Sequence, residues 1–279
     1  CVAKGALSRA TSCHICYCHT PMRYAWVFPE LYKRAARPNF IMGPLFSLIL
    51  EYLRRWDVAS AARPNDYIAN SHNVRRRIER YYGKGAVVIH PPVDSDFFVP
   101  DGGEADDYWL LLSAMVPYKD LDKAIEAFNE SGRSLHVVGD GPERMRLEKM
   151  AKDNVLFFSW LEREDLRRKL QRSRGLVFPG EEDFGITPLE ANACGRPVVA
   201  LGKGGVLESQ EEEKTALFYE DQSSEAINSA IERAESRRWD SAYIRERAVG
   251  FSRNSFKSAM EREIEEKLSA FRTWLSSKP

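Results

Sequence analysis

The sequence has no excess of either charge, no long hydrophobic run and few cysteines. Lys and Arg together number 41, and so do Asp and Glu, so no general basic field exists to hold nucleic acid. The most apolar stretch, Phe40 to Leu50, is interrupted by Gly43 and Pro44 and is shorter than the ~20 residues that span a bilayer. We therefore expect neither a nucleic-acid partner nor a membrane-spanning helix.

Four of the five cysteines lie within the first 18 residues. Cys13, Cys16 and Cys18, with His14 and His19, have the residue types of a metal site. No second cysteine pair follows at zinc-ribbon spacing, so we favour a buried strand with small side chains and expect no bound metal. Unpaired cysteines of this kind favour the reducing cytoplasm.

The length of 279 residues is large for one hydrophobic core and predicts two domains. The polar stretch 94–107 is the best linker candidate, and we expect an N-terminal domain over 1–98 and a second domain over 99–250. Residues 251–279 have the pattern of a separate charged, amphipathic helix. The chain begins at Cys1 without methionine or signal peptide, so we interpret it as a fragment.

After the linker candidate the pattern becomes regular, because short apolar strands alternate with amphipathic helices. This alternation is typical of βαβ units in a parallel sheet, whose ligands bind at the carboxyl ends of the strands. The predicted strands span 108–113, 135–138, 155–159, 175–178 and 197–201.

The loop and helix after the fourth of these strands carry the most informative residues, within FPGEEDFGITPLEANACGRPVVALGKGG (178–205). An acidic loop leads into a helix predicted to begin near Thr187, with Pro188 in the first helical position. The free N–H groups of that helix are suited to phosphate or sugar oxygens, and Glu182 and Glu190 flank the turn. Two simpler interpretations stay open: Thr187 and Glu190 form a capping box, and the acidic loop is solvated surface.

Several segments in chain order resemble the family-4 retaining glycosyltransferases. Glu182 and Glu190 match the two ends of that family's E-x7-E signature. The other matching segments are VPYK (116–119), similar to the phosphate-binding stretch, GDGPE (139–143), similar to the second strand-to-helix turn, and DYIANSHNVRRRIERYYG (66–83) and VIHPPVDSDFF (88–98), similar to the end of the N-terminal domain. CHTPMRYAW (18–26) is similar to mannosyltransferases that build bacterial and archaeal surface polysaccharides.

The resemblance implies an α/β protein of the GT-B type, with two Rossmann-like domains, parallel sheets and an incomplete N-terminal domain. It implies metal-independent transfer of a hexose, with GDP-mannose as the candidate donor, to a glycan or lipid-linked acceptor with retention of configuration. No further cofactor is expected. A degenerate nucleotide-sugar-binding or scaffold protein and a phosphorylase-like or epimerase-like enzyme of the same fold are the alternatives.

The resemblance also assigns roles to individual residues. Glu182 would contact the transferred sugar as a catalytic residue, and Glu190 would accept hydrogen bonds from the ribose. His19 matches a catalytic histidine near the sugar, although a structural hydrogen bond at the strand end would equally explain it. The donor-binding residues implied are Lys119, Asp183, Phe184, Gly185, Ile186, Thr187 and Glu190. Lys119 would neutralise the leaving diphosphate, and the backbone from Phe184 to Ile186 would hold the sugar and phosphates.

The sequence departs from the family in two places. Ala114 stands where members commonly carry an arginine, five residues before the phosphate lysine. The residues given also lack the glycine-rich loop and first strands of the family's N-terminal domain, so we expect the acceptor domain to be incomplete as given.

The apolar stretch Phe40–Leu50 is followed by Arg54, Arg55 and Trp56, a combination suited to the surface of an anionic membrane. Packing into its own domain is the preferred interpretation of this helix. The alternative implies a cytoplasmic protein that is peripheral to the inner face of the plasma membrane.

Overall fold

The computed structural model describes residues 2–30 and 42–277. The chain forms two compact units, one of Cys1–His90 with Phe256–Pro279 and one of Pro91–Ser255. The expected boundaries were 98/99 and 250/251. The C-terminal helix belongs to the first unit from Phe256 onward, and there the Lys267 ammonium lies 3.5 Å from the Asp66 carboxylate.

The first unit contains a parallel sheet of strand order β1-β2-β3 within the described residues. Its elements, in chain order, are a 3₁₀ turn (Ala3–Gly5), β1 (Ile15–Cys18), α1 (Arg23–Trp26), α2 (Met42–Ser60), β2 (Asp66–Ala69), α3 (His72–Tyr82) and β3 (Val87–Val88). Ser71 caps α3 by accepting a hydrogen bond from the Val74 N–H, and Gly83 ends the helix in the left-handed conformation.

Helix α2 leaves much of its apolar face in solvent. Leu48 and Tyr52 are each 68% exposed, whereas Leu50 and Asp57 are buried, so the helix packs into its own unit through one face only. Arg54 points inward, donating from Nε to the Ala25 carbonyl at 2.8 Å, whereas Arg55 is exposed. Phe40 and Ile41, at the start of the predicted apolar stretch, lie outside the described residues.

The second unit is a doubly wound α/β domain. Its elements are β4 (Trp109–Leu112), a 3₁₀ turn (Pro117–Lys119), α4 (Leu121–Ser131), β5 (Leu135–Val138), α5 (Arg144–Met150), β6 (Val155–Phe158), α6 (Arg163–Arg172), β7 (Leu176–Phe178), α7 (Ile186–Ala193), β8 (Val198–Leu201), α8 (Val206–Ser209), β9 (Ala216–Tyr219), α9 (Ser224–Ser236) and α10 (Ser241–Val249). A last helix, α11 (Arg253–Ser276), begins here and continues into the first unit.

All six strands of the second unit are parallel, in the order β6-β5-β4-β7-β8-β9. The side chains of β4, β7 and β8 are buried on both faces of the sheet, which explains why β4 and β8 are continuous apolar runs in the sequence. One core cluster includes Trp109 and Phe128, and the other includes Leu110 and Phe184.

The polar stretch 94–107 is not a free linker. The preceding Val93 bridges to Ser252, and Phe98 is buried in the core of the second unit. The Asp94 carboxylate pairs with Arg163 at 2.5 Å and with Arg253 at 2.9 Å. The polar composition of this stretch therefore did not indicate a linker, because the charge of Asp94 is paired within the second unit.

In the ranges that the structure describes, every helix is too short or too polar to cross a lipid bilayer.

Candidate functional site

The strand order of the second unit defines a crevice at the carboxyl ends of β4 and β7. From β4 the chain proceeds outward through β5 and β6, and from β7 it proceeds in the opposite direction through β8 and β9. The loops that follow β4 and β7 therefore diverge, and ligands of open α/β sheets bind at such a switch point. Residues 113–120 follow β4 and residues 179–185 follow β7.

Lys119 and Glu182 meet at this crevice. The 3₁₀ turn positions Lys119, and its ammonium forms an ion pair with the Glu182 carboxylate. The side chains are only 19% and 12% exposed, so the pair is mostly shielded from bulk water. A diphosphate that approached Lys119 would compete with Glu182 for the ammonium.

Close backbone packing holds the acidic loop against the lysine turn. A Cβ atom at Gly180 would lie 2.8 Å from the Lys119 carbonyl oxygen, so no larger residue fits there without displacing the turn. On the other side, the Gly205 N–H donates to the Glu182 carbonyl at 2.9 Å, and Glu182 bridges to Gly204. The loop after β8 therefore supports the acidic loop from behind.

Helix α7 begins at Ile186, directly beside the acidic loop. Gly185 precedes it with φ +84°, a conformation that favours glycine, and no side chain caps the helix. The first-turn N–H groups of Ile186 and Thr187 thus have no side-chain cap, and such groups attract anions.

The helix start differs from the expected position, and Thr187 and Glu190 do not form a capping box. Thr187 is the second helical residue and Pro188 the third, so Thr187 is not the N-cap. Glu190 is the fifth residue of the helix, beyond the position from which a capping-box carboxylate reaches back. The shift arises because Gly185, rather than Thr187, supplies the non-helical conformation before the first turn.

Glu190 lies on α7 in a mostly buried environment. Within the described residues no group donates a hydrogen bond to its carboxylate. Burial raises the pKa of Glu190 to about 7, while the charge of Arg163 lowers the pKa and that of Asp94 raises it. A buried carboxylate without donors is ready to accept hydrogen bonds from hydroxyl groups of a ligand.

The remaining predicted residues of the acidic loop and the start of α7 differ in how far their side chains are exposed. The Phe184 ring is buried, with its centroid 5.9 Å from that of Phe251, so it belongs to the core. Asp183 is also buried, whereas Ile186 is exposed and Thr187 half-buried.

His19 belongs to the first unit, separately from the other eight predicted site residues. It follows β1 at its carboxyl end and is exposed. Its ring makes an edge contact with Tyr17 at 5.1 Å, and it has no hydrogen bond to another described residue. The interpretation of His19 as a hydrogen-bonded structural histidine therefore gains no support.

Gln222, which the sequence does not single out, joins the two loops of the crevice. Its Nε2 donates to the Asp120 carboxylate at 2.9 Å and to the Pro179 carbonyl at 3.0 Å. Asp120 follows Lys119 directly, and Pro179 begins the loop that carries Glu182. No sequence pattern reveals this role, because a single glutamine after a short strand has no distinctive spacing.

The loop GDGPE (139–143) packs against the loop after β4. The Met115 N–H donates to the Asp140 carbonyl at 2.8 Å, and the Glu143 N–H donates to the Met115 carbonyl at 3.0 Å. Ala114, at the position where the resemblance implies an arginine, lies within the same loop after β4.

Comparison with protein families gives one match to this part of the chain. The model described as glycosyl transferases group 1 matches residues 94–251. The matched region contains both loops of the crevice and the whole of α7.

Curated relatives match over about half of their own length. A GDP-mannose-dependent alpha-(1-6)-phosphatidylinositol monomannoside mannosyltransferase of Mycolicibacterium smegmatis is 31% identical over 192 residues, which are 58% of this chain and 50% of that protein. The O-antigen chain mannosyltransferase C of Escherichia coli is 29% identical over 168 residues, covering 55% and 44% respectively. The chain thus spans about half the length of the curated relatives it matches.

Solved structures confirm the GT-B fold. The HepE protein of Anabaena, in complex with UDP and glucose, aligns with a TM-score of 0.67 at 17% identity, over 76% of this chain and 66% of that one. Sucrose-phosphate synthase of Thermosynechococcus elongatus aligns with a TM-score of 0.69 at 23% identity, over 79% and 62%. At these identities the likeness concerns the fold alone.

Proposed function

Because the chain belongs to the glycosyl transferases group 1 family, we propose that it takes part in transfer of a hexose from a nucleotide sugar to a glycan or lipid-linked acceptor. The observation that carries the proposal is the ion pair of Lys119 and Glu182 at the switch point, beside the uncapped start of α7. That arrangement combines a cation and backbone N–H groups for a diphosphate with a carboxylate for sugar hydroxyls.

The chemistry requires the bond between the sugar and the diphosphate to break, which leaves negative charge on the diphosphate. We assign stabilisation of that charge to Lys119 and to the N–H groups of Ile186 and Thr187, with no need for a divalent cation. Glu182 would bind hydroxyls of the transferred sugar, and Glu190 would accept hydrogen bonds from the ribose. His19 would act near the sugar, and transfer would proceed with retention of configuration.

The proposed donor is GDP-mannose. The support is the printed description of the relatives, one of which is a GDP-mannose-dependent mannosyltransferase and another an O-antigen chain mannosyltransferase. The test is product analysis with a panel of nucleotide sugars and lipid-linked acceptors, with and without EDTA. Transfer from GDP-mannose that survives EDTA, with a product of unchanged anomeric configuration by NMR, is expected.

Other outcomes of this assay would favour the alternatives. Binding of nucleotide sugars without turnover would indicate a degenerate binding protein. Ala114, at the position where family members commonly carry an arginine, is the reason to consider this alternative. Release of a sugar phosphate, or an epimerised nucleotide sugar, would indicate a phosphorylase-like or epimerase-like enzyme.

Contact with a membrane surface is part of the proposal. Leu45, Leu48 and Tyr52 form an exposed apolar face on α2. Arg55 adds an exposed cation, which pairs with Glu51 at 3.0 Å. Such a helix can rest on an anionic bilayer, where lipid-linked acceptors reside. We expect flotation with anionic vesicles, weakened in Leu48→Asp and in Arg55→Glu but not in Lys149→Glu, a substitution on the second unit. Equal flotation of all variants would reject this contact.

A further inference from the structure

The second unit has a cavity that the donor site does not use. It lies against the face of the sheet covered by α6, has a volume of ≈ 500 Å³, and its lining includes none of the residues assigned to the donor. Tyr108, His136 and Phe158 form its floor, while Arg168, Lys169 and Arg172 of α6 form its wall. The volume lies in the range of about 300–1,000 Å³ that small-molecule sites occupy.

The Lys169 ammonium is held among aromatic rings. Its Nζ lies 3.9 Å from the centroid of the Phe158 ring and 5.2 Å from that of Tyr108. It also lies 3.0 Å from His136 Nδ1, and the His136 ring stacks on Tyr108 with a centroid distance of 3.9 Å. Burial lowers the pKa of His136 to about 4, so the neutral ring accepts from Lys169 through Nδ1.

Lys169 differs from its neighbouring cations in lacking an acidic partner. Arg168 pairs with Asp165, and Arg172 pairs with Asp106 at 3.1 Å. No carboxylate among the described residues forms an ion pair with Lys169. Burial lowers the pKa of Lys169, which an incoming anion would reverse. The cavity therefore presents one uncompensated cation beside flat apolar surfaces.

We propose that this cavity is a second ligand site, which binds a small organic anion with a flat body, such as an aryl phosphate or aryl carboxylate. The charged group of the ligand pairs with Lys169, and its ring lies against Phe158 and Leu161. The two acidic side chains of the lining are already paired with arginines, so they oppose an anion weakly.

Titration calorimetry with phenyl phosphate tests the proposal on the full chain. We expect saturable binding by the wild type and by Lys149→Met, an exposed-lysine control in the same unit. Lys169→Met should weaken binding about tenfold or more, because a charge-assisted hydrogen bond is lost, while Lys169→Arg should retain most of it. Inorganic phosphate, which lacks the ring, should bind about tenfold more weakly.

Phosphate groups are also expected at the donor site, so Lys119→Met separates the two sites. Binding of phenyl phosphate that persists in Lys119→Met and falls in Lys169→Met supports the cavity. Three results would overturn the proposal. Lys169→Met and Lys149→Met could bind phenyl phosphate with equal affinity, or binding could be lost in Lys119→Met instead. The wild type could also show no saturable binding. If Lys169→Met does not fold, the extent of acetylation of wild-type Lys169 can be measured with and without phenyl phosphate. Reduced acetylation in its presence supports the proposal, and unchanged acetylation rejects it.

Discussion

At the scale of single residues, we expect Glu190 to make nucleotide binding depend on pH. Burial raises the pKa of its carboxyl to about 7, so the neutral form predominates below that pH. Ribose hydroxyls bind the charged form more strongly, because the charged form accepts stronger hydrogen bonds. We therefore expect wild-type affinity for GDP-mannose to be about tenfold higher at about pH 8 than at about pH 5.5, by titration calorimetry.

Glu190→Gln provides the control, because its amide does not titrate in this range. We expect its affinity to be about tenfold lower than that of the wild type at about pH 8 and nearly independent of pH. A pH dependence that persists in Glu190→Gln would assign the titration to another group.

The stability of Glu190→Gln should change in the opposite direction. A folded-state pKa raised to about 7 means that the folded protein binds the proton more tightly than the unfolded chain. The free energy of unfolding of the wild type therefore falls as pH rises from about 4.5 through about 7. Glu190→Gln should melt at a higher temperature than wild type at about pH 8, and the difference should vanish near pH 5. Equal melting curves at about pH 8 would contradict the burial of an ionised group.

We expect the two partners of the Lys119–Glu182 ion pair to have different functions. Glu182→Ala would remove the proposed sugar contact and release the ammonium, so turnover should fall about a hundredfold or more while affinity for GDP does not decrease. Lys119→Met removes the cation, so affinity for GDP should fall about tenfold. Parallel losses of GDP affinity and turnover in Glu182→Ala would show that Glu182 does not act on the sugar side.

Much of the C-terminal part of the site is predictable from its residue types in order along the chain. Lys119 and Glu182 are expected on neighbouring loops because both follow strands of one parallel sheet. The start of α7 lies close to the expected Thr187, but Pro188 is the third helical residue instead of the first, because Gly185 is the N-cap. Gln222 is unpredictable, since its role depends on which loops the fold brings beside it.

At the scale of secondary-structure elements, Gln222 should control the spacing of the two loops. Its side chain donates to Asp120 and to Pro179, so Gln222→Ala removes both hydrogen bonds. We expect KM for the donor to rise several-fold, with a loss of about 1 kcal/mol in the free energy of unfolding. Glu225→Ala, an exposed substitution on the following helix, is the matched control. Unchanged KM in Gln222→Ala would mean that backbone packing alone fixes the loops.

The first unit depends on a buried ion pair between its 3₁₀ turn and α2. The Lys4 ammonium lies 2.9 Å from Asp57 Oδ1, and both side chains are almost fully buried. Trp26 and Tyr82 donate to the other oxygen of Asp57 at 2.8 and 2.9 Å. Lys4→Met leaves Asp57 charged and without its cation, which should cost about 3–5 kcal/mol.

Adding Asp57→Asn to Lys4→Met should restore part of the loss, because the double variant buries no charge. Thermal unfolding followed by tryptophan fluorescence would measure Lys4→Met, Asp57→Asn and the double variant. Additive losses in the two single variants would show that the ion pair contributes no coupling.

The regular strands and helices are predictable where apolar periodicity is strong, as in β4 to β8. Strand β9 is not predicted, because its four residues follow a charged run and lack a distinctive alternation. The interval 94–107 is misjudged for the converse reason. Its polar side chains suggest a linker. However, Phe98 packs in the core of the second unit, and Asp94 forms ion pairs with two arginines of that unit.

At the scale of the whole molecule, the two units differ in what they contribute. The second unit has a six-stranded sheet with a switch point, which is the arrangement that binds nucleotides in this fold class. The first unit contains β1, which His19 follows directly, and the exposed apolar face of α2. Since the chain spans about half the length of its curated relatives, acceptor recognition is a property to be tested on the complete protein.

A crystal structure of the chain with GDP-mannose tests the central claim most directly. The account predicts the diphosphate beside Lys119 and the N–H groups of Ile186 and Thr187, with the mannose at Glu182 and the ribose at Glu190. Each of these contacts should be within hydrogen-bonding distance. A nucleotide sugar bound elsewhere on the second unit, or one that leaves the pair of Lys119 and Glu182 undisturbed, would contradict the account.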